Sequence, residues 1–305
     1  MRRGGRRARA FGTTLVLLVG LAVMTGPTVA RAGGYGSQRL GVPAYWDAST
    51  PQGAAEFDRL VAAASTVDMV IVNGSASGPA DPFSPALASS ISRLRRKGIT
   101  VLGYVDTGYL GHTGATTTRV RPGSTAVTDW QAQAATDVRA WYDLYGRHGL
   151  GGIFLDQTVP TCGDADEHVD AYGTITGRIW RRDSDALVAI NPGMSVEECY
   201  TEVADVIVLA ENTFSAYRDW TPPAWVYRHP ASSFWHLVHA TPTTAQMREA
   251  VELAWQRNAG YVYVTDAVVD PVGGPWNALP PPDYWSAQLA AVRANRGRCP
   301  TVTAG

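Results

Sequence analysis

The chain has 305 residues, with 26 basic and 27 acidic side chains, a formal net charge of −1 and 45% hydrophobic residues. Charge this close to balance, with basic residues scattered beyond the first few positions, excludes the basic footprint of a nucleic-acid binder and the polybasic stripe of a membrane-surface protein. It also argues against a strongly acidic substrate.

The first element is a leader. Met1-Arg2-Arg3 and further arginines precede a nearly all-apolar run from Phe11 to Met24, and Ala30-Arg31-Ala32 supplies an A-x-A cleavage signal. This combination predicts a secretory signal peptide over 1–32, cleaved near Ala32 and too short for a stable membrane span. Arg6-Arg7 matches a twin-arginine export signal loosely. No later run is long and apolar enough to cross a bilayer. The mature chain, from near Gly33, is therefore expected to be secreted and soluble. About 270 residues remain, which suits one large α/β barrel or two ordinary domains.

After a short lead over 33–39, runs of β-branched and aromatic residues predict eight strands. They span Leu40 to Asp47, Val67 to Gly74, Thr100 to Asp106, Gly152 to Asp156, Ala186 to Asn191, Val206 to Glu211, Phe234 to His239 and Tyr261 to Asp266. Helices alternate with them. Ser84-Pro85 gives an N-cap and an N1 proline ahead of the face Leu87, Ile91, Leu94, with Gly98 as the stop. Thr128 opens the longest helix, with the stripe Trp130, Ala134, Val138, Trp141 and Tyr145. Tyr172, Ile175 and Ile179 mark the next. Residues 197–203 and 215–220 make only short turns. Thr243 with Gln246 reads as a capping box before Met247, Val251 and Ala254, and a last helix covers Tyr284 to Ala294.

Continuous apolar strands with crossover helices imply a parallel sheet covered on its faces. Eight such units over 40–298 predict a single-domain (β/α)8 TIM barrel, with a tail over 299–305. The competing architecture, an open doubly wound sheet, more often carries a glycine-rich phosphate turn after its first strand. Here that strand ends at Tyr45-Trp46-Asp47.

In a TIM barrel the strand ends build the site. They supply Tyr45, Asp47, Asn73, Tyr104, Asp106, Asp156, Asn191, Glu211, His239, Thr265 and Asp266. Asp and Asn at such places commonly cap the next helix, and Asp47 and Asp266 are read that way. Glu211 is a poor N-cap before a feeble helix, and Val159-Pro160 separates Asp156 from any helix. Ionised carboxylates beside a core need partners, and two of them across a cleft are the apparatus of glycoside hydrolysis. Simple alternation places Phe154 below Asp156, and Leu209 inside with Glu211.

The strand-end motifs resemble those of the spherulin-4-like proteins, spherulation-specific family 4. The resemblance runs through Val42-Pro43-Ala44-Tyr45, Asn73-Gly74-Ser75-Ala76-Ser77-Gly78-Pro79 and Gly103-Tyr104-Val105-Asp106-Thr107. It continues through Gly152-Ile153-Phe154-Leu155-Asp156, Asn191-Pro192-Gly193 and Glu211-Asn212. It implies a secreted TIM-barrel glycoside hydrolase acting on α-1,4-linked galactosamine or N-acetylgalactosamine polymers, with the family's acids falling on Asp156 and Glu211. The family's Asp is often followed by Glu; here that position is Gln157, which can hydrogen-bond a sugar but serves as neither acid nor base.

Asp156 is thus expected as nucleophile or oxocarbenium-stabilising carboxylate and Glu211 as general acid. Substrate contacts are expected from Tyr45, Asn73, Tyr104, Asp106, Gln157, Asn191, Asn212, His239 and Trp276. Trp276 is the first choice among Trp46, Tyr109, Trp276 and Trp285 for stacking on a sugar ring. No cofactor or metal is required, and a monomer suffices. His236 and His239, three apart on a strand, face opposite ways and share no ion. Asp164, Asp166, Glu167 and His168 read as a charged first helical turn. The segment 74–78 has Ala76 where a serine elbow would need Ser. Of three cysteines, Cys162 and Cys199 lie past the ends of adjacent strands on one rim and are expected to pair, leaving Cys299 free. The rival reading is a non-catalytic polysaccharide binder on the same barrel.

Overall fold

The computed structural model describes residues 37–74, 83–111, 126–269 and 274–297. The expected signal peptide, residues 75–79 of the second motif, Cys299, the tail and residues 271–273 of the proline-rich stretch lie outside the described residues.

Eight parallel strands close into a barrel in chain order. They are β1 (Arg39–Ala44), β2 (Val67–Val72), β3 (Thr100–Asp106), β4 (Gly152–Asp156), β5 (Leu187–Asn191), β6 (Val206–Thr213), β7 (Phe234–His239) and β8 (Tyr261–Val264). The surrounding helices are α1 (Pro51–Ala62), α2 (Pro85–Arg96), α3 (Val127–Tyr145), α4 (Glu167–Arg182), α5 (Phe214–Asp219), α6 (Thr244–Gln256) and α7 (Pro282–Ala294). After β5 the return is a short 3-10 turn, Glu198–Glu202. Among the described residues no helix is long and apolar enough to cross a membrane.

The expected caps at Ser84 and Thr243 are in place, accepting from the backbone N–H of Leu87 at 3.3 Å and of Gln246 at 3.2 Å. α1 has no counterpart in the sequence reading, because its small and polar residues leave only Phe57 and Leu60 as large buried anchors. Its N-cap is Thr50, which accepts from Gly53 at 3.0 Å. Asp47 is therefore not the cap; it accepts from the Ser49 N–H at 2.8 Å in the turn before it. Asp266 caps no helix among the described residues either, since the next one there begins at Pro282. Glu167 opens α4 as the charged-first-turn reading requires, its carboxylate accepting from Ala165 N–H at 2.9 Å.

The interior is packed with aromatic rings. Phe154 lies 6.0 Å from Tyr104 and 5.9 Å from Trp235, centroid to centroid, filling the barrel below its mouth. On the outer face α3 presses close at Gly103, where a Cβ would meet the Trp141 ring at 2.5 Å. The Trp141 indole donates to the Tyr104 carbonyl at 2.7 Å.

β6 departs from simple alternation. Val208 pairs with Trp235 and Ala210 with His236, so Leu209 is an unpaired bulge residue. Val208 therefore shares the inward phase with Trp235, while Ile207 pairs with Phe234, whose ring packs against Trp225 outside the barrel. The bulge resets the period, and Glu211 falls opposite Leu237 on the inward phase. An unbroken strand running from Val208 would have turned Glu211 outward.

The barrel closes through a short seam. β1 and β8 pair only at Arg39–Tyr261 and Leu40–Val262. Thr265 N–H bonds Val238 of β7, so the preceding residue, Val264, turns its peptide groups toward β1. The buried Gln288 side chain of α7 meets them there, accepting from Val264 N–H and donating to Val264 C=O, both at 2.8 Å. Further along, Tyr45 N–H bonds the Trp276 carbonyl at 3.2 Å.

Candidate active site

Register brings three of the expected residues into one row. Asp106 of β3 is opposite Asp156 of β4, and Asp156 is opposite Asn191 of β5. Because partners in a parallel ladder face the same side, all three crown the barrel with Glu211 entering from the bulged β6. Asp106 accepts from the Gly108 N–H at 2.8 Å.

Each of the two central acids is held by its own donors. The Tyr104 hydroxyl donates to Asp156 Oδ2 at 2.7 Å. Asn191 Nδ2 donates to Glu211 Oε2 at 2.6 Å, and the Trp276 indole N–H reaches Oε1 at 3.2 Å. The Asn191 amide is locked in that orientation, since its Oδ1 accepts from Gly193 N–H at 2.9 Å.

Burial and the charge of Glu211 push the Asp156 carboxyl up to about 7, against the opposing pull of the Tyr104 and Gln157 donors. Burial also raises Glu211 above the usual carboxylate range, while its Asn191 and Trp276 bonds pull it back. The charges acting on Asp156, from Glu211 and Asp106, are both negative. Two such groups titrate as a pair rather than independently. Tyr45 sits against both acids, and burial and their charges hold its hydroxyl protonated. Tyr45 also packs edge-on against Tyr104 at 5.5 Å.

The loop after β3 is wound left-handed. Gly108, Tyr109 and Leu110 have φ of 51°, 50° and 51°, and Gln157 after β4 has φ of 53°. A Cβ at position 108 would collide with the Trp130 ring at 2.2 Å, so only Gly fits there on both counts. Tyr109 N–H bonds the Gln157 carbonyl at 2.7 Å, locking one strained segment to the other. Buried Thr107 ties the same backbones together, its hydroxyl 2.8 Å from the Asp156 carbonyl, 2.9 Å from that of Gln157 and 3.0 Å from Tyr172. The result holds the part-exposed Tyr109 ring where the Asp156 and Glu211 charges raise its hydroxyl further, after burial.

The other expected residues are distributed unevenly. Gln157 borders Asp156, and His239 lies edge-on to Trp276 at 6.1 Å, with burial lowering its pKa below the usual histidine value. Asn73 stands just past the end of β2, half-buried. Asn212 pairs with Val238 on the phase opposite to Glu211, so the ladder turns it away from the mouth. Trp46, Trp276 and Trp285 are 8%, 5% and 4% exposed; none offers an open face for stacking. His236 is on the helix side with Tyr217, 2.7 Å away, and apart from His239. Cys162 and Cys199 are bridged, with Cα atoms 6.2 Å apart. This joins the loop behind Asp156 to the loop behind Asn191.

The sequence reading missed the clamp on Glu211 and the Thr107–Tyr172 knot. Nothing local marks a Trp as the partner of a carboxylate, or a Thr as the partner of a strand-end carbonyl, dozens of residues away. The left-handed turn had a signal in Gly108 and Gly111, which flank Tyr109 and Leu110.

A closed (β/α)8 barrel with a coupled pair of recessed acids at the C-terminal mouth of its strands is the class defined by fold and site. The chain belongs to spherulation-specific family 4, whose model matches residues 39–292. Among solved structures it is similar to Sph3 of Aspergillus clavatus in complex with GalNAc, at 17% identity and a TM-score of 0.64, over 85% of this chain and 98% of that one. It is also similar to a chitinase from Chromobacterium violaceum, at 14% identity and a TM-score of 0.53, over 83% and 99%. At such identities the likeness is one of fold. No curated protein matches the sequence.

Proposed function

We propose that this protein is a secreted glycoside hydrolase that cuts within an amino-sugar polysaccharide of the α-1,4-linked galactosamine or N-acetylgalactosamine type. The observation that carries the reading is the meeting of Asp156 and Glu211 at one mouth, each raised by burial and Asp156 further by the Glu211 charge. Membership of the family and the GalNAc held by the similar Sph3 support the sugar class. The ionised member of the pair faces the anomeric carbon and stabilises or traps the oxocarbenium-like transition state. The protonated member delivers its proton to the leaving oxygen. Tyr104 orients Asp156, and Asn191 orients Glu211. Tyr109, Gln157 and Asp106 border the sugar. Two carboxylates perform the chemistry with Gln157 as a hydrogen-bonding neighbour, and neither metal nor cofactor takes part.

The Cys162–Cys199 bridge fits folding in an oxidising compartment and supports the reading of 1–32 as a cleaved export signal.

Incubation of the mature chain with polygalactosamine, with and without N-acetylation, followed by mass spectrometry of the products, tests the activity. New reducing ends are expected. Retention on the polymer without products would instead identify a polysaccharide-binding protein. Azide rescue of Asp156→Gly and Glu211→Gly then assigns the roles in a retaining mechanism, since the variant lacking the nucleophile yields a glycosyl azide of inverted anomeric configuration and the variant lacking the acid/base yields one of retained configuration.

A further inference from the structure

Trp276 fits poorly as a sugar platform. It is 5% exposed, and its ring is enclosed by His239 on one side and by Tyr263, 5.8 Å away. Its backbone carbonyl is pinned by the Tyr45 N–H. What it presents to the mouth is its indole N–H, aimed at Glu211 Oε1. The other oxygen of Glu211 is taken by the Asn191 amide, whose orientation Gly193 fixes. Both donors are groups with no acceptor to offer, so each favours the anionic carboxylate.

We propose that Trp276 is a positioning residue for Glu211: with Asn191 it clamps one oxygen each, fixing the carboxylate's direction and its readiness to ionise. The inference rests on Glu211 being one of the two working acids. An indole suits this task because it is rigid, donates once and cannot accept. Its ring brings its own packing, so the donor is held without a flexible arm. Reaching Glu211 of β6 from the loop after β8, Trp276 also makes the direction of that acid depend on where this loop sits.

The test is Trp276→Phe, which keeps an aromatic ring and deletes the donor. The Glu211 carboxyl is followed by 13C NMR in the free mature protein and assigned with Glu211→Gln. Losing one charge-assisted bond should move its titration midpoint upward by about one pH unit. In turnover, kcat should fall by roughly tenfold with KM within about twofold, and the pH–rate limb reporting Glu211 should shift in the same direction. An unmoved midpoint in a folded Trp276→Phe overturns the proposal. So does a rise in KM with kcat and the pH limbs unchanged, which is what a sugar platform gives. The NMR arm needs no substrate, so it decides the clamp even if no polymer is cut. Should Trp276→Phe not fold, the wild-type indole N–H resonances answer the same question. One of them must track the Glu211 titration and stand still in Glu211→Gln, and its absence sinks the idea.

Discussion

At the scale of single residues, the molecule accepts an instability to keep two acids together. A carboxyl raised to about 7 in the fold but ionising near 4 in the unfolded chain favours folding while protonated. That contribution is complete below about pH 4 and is lost as pH rises through 7. Asp156→Asn should therefore unfold at a higher temperature than the wild type at pH 7.5, by roughly 2–4 °C for each kcal/mol relieved, with the gap closing at pH 4. The same substitution, like Glu211→Gln, should lower kcat by on the order of 10²–10⁴-fold. The pH–rate profile should be bell-shaped, its basic limb falling as the pair loses its last proton near 7. Calorimetry and steady-state kinetics on the same preparations check both halves, and a destabilised Asp156→Asn with full turnover would contradict both. Asp156 and Glu211 were legible in the sequence because an acid closing an apolar run has few bland explanations. Their partners were not legible, since Tyr104, Asn191 and Trp276 acquire meaning only once strands far apart in sequence stand side by side.

At the scale of elements, periodicity revealed the eight strands and most of the helices, because a strand or helix with one buried face writes that face into the chain. α1 escaped because small residues bury it, and the bulge in β6 escaped because one extra residue changes no composition. Yet that bulge decides which way Glu211 points. The seam is equally silent in sequence: Gln288 on α7 substitutes for the missing ladder beside Val264 through two 2.8 Å bonds. Gln288→Leu keeps the size but leaves a buried N–H and C=O unmet, a loss of about 2–4 kcal/mol. Urea unfolding should show that drop with an unchanged m-value, whereas a difference below about 0.5 kcal/mol would mean that β1 or water takes over those bonds.

At the scale of the whole molecule, the packing between helices and barrel sets an acid limit. His236 is fully buried beneath α5, with Nδ1 bonded to Tyr217 and no partner for Nε2 among the described residues. Burial, aided by the Arg257 charge, lowers its pKa to about 3. The unfolded chain takes up this proton near 6.5 and the folded chain does not, so stability is full above 6.5 and falls as pH drops toward 3. The slope approaches roughly 1.4 kcal/mol per pH unit within that window. Thermal melts of His236→Gln should lose much of this acid sensitivity; melts that run parallel to the wild type would assign it elsewhere. The β1–β8 seam has a different consequence, in the order of assembly. Arg39 and Tyr261, its first register partners, are brought together from opposite ends of the barrel's sequence, and contacts so distant along the chain form late and slowly. The bond from Tyr45 to the Trp276 carbonyl spans this same junction, so the loop that aims Glu211 is seated only when the cylinder shuts. A refolding chain should thus regain its circular-dichroism signal before its first turnover, with the barrel's last closure as its first moment of catalysis.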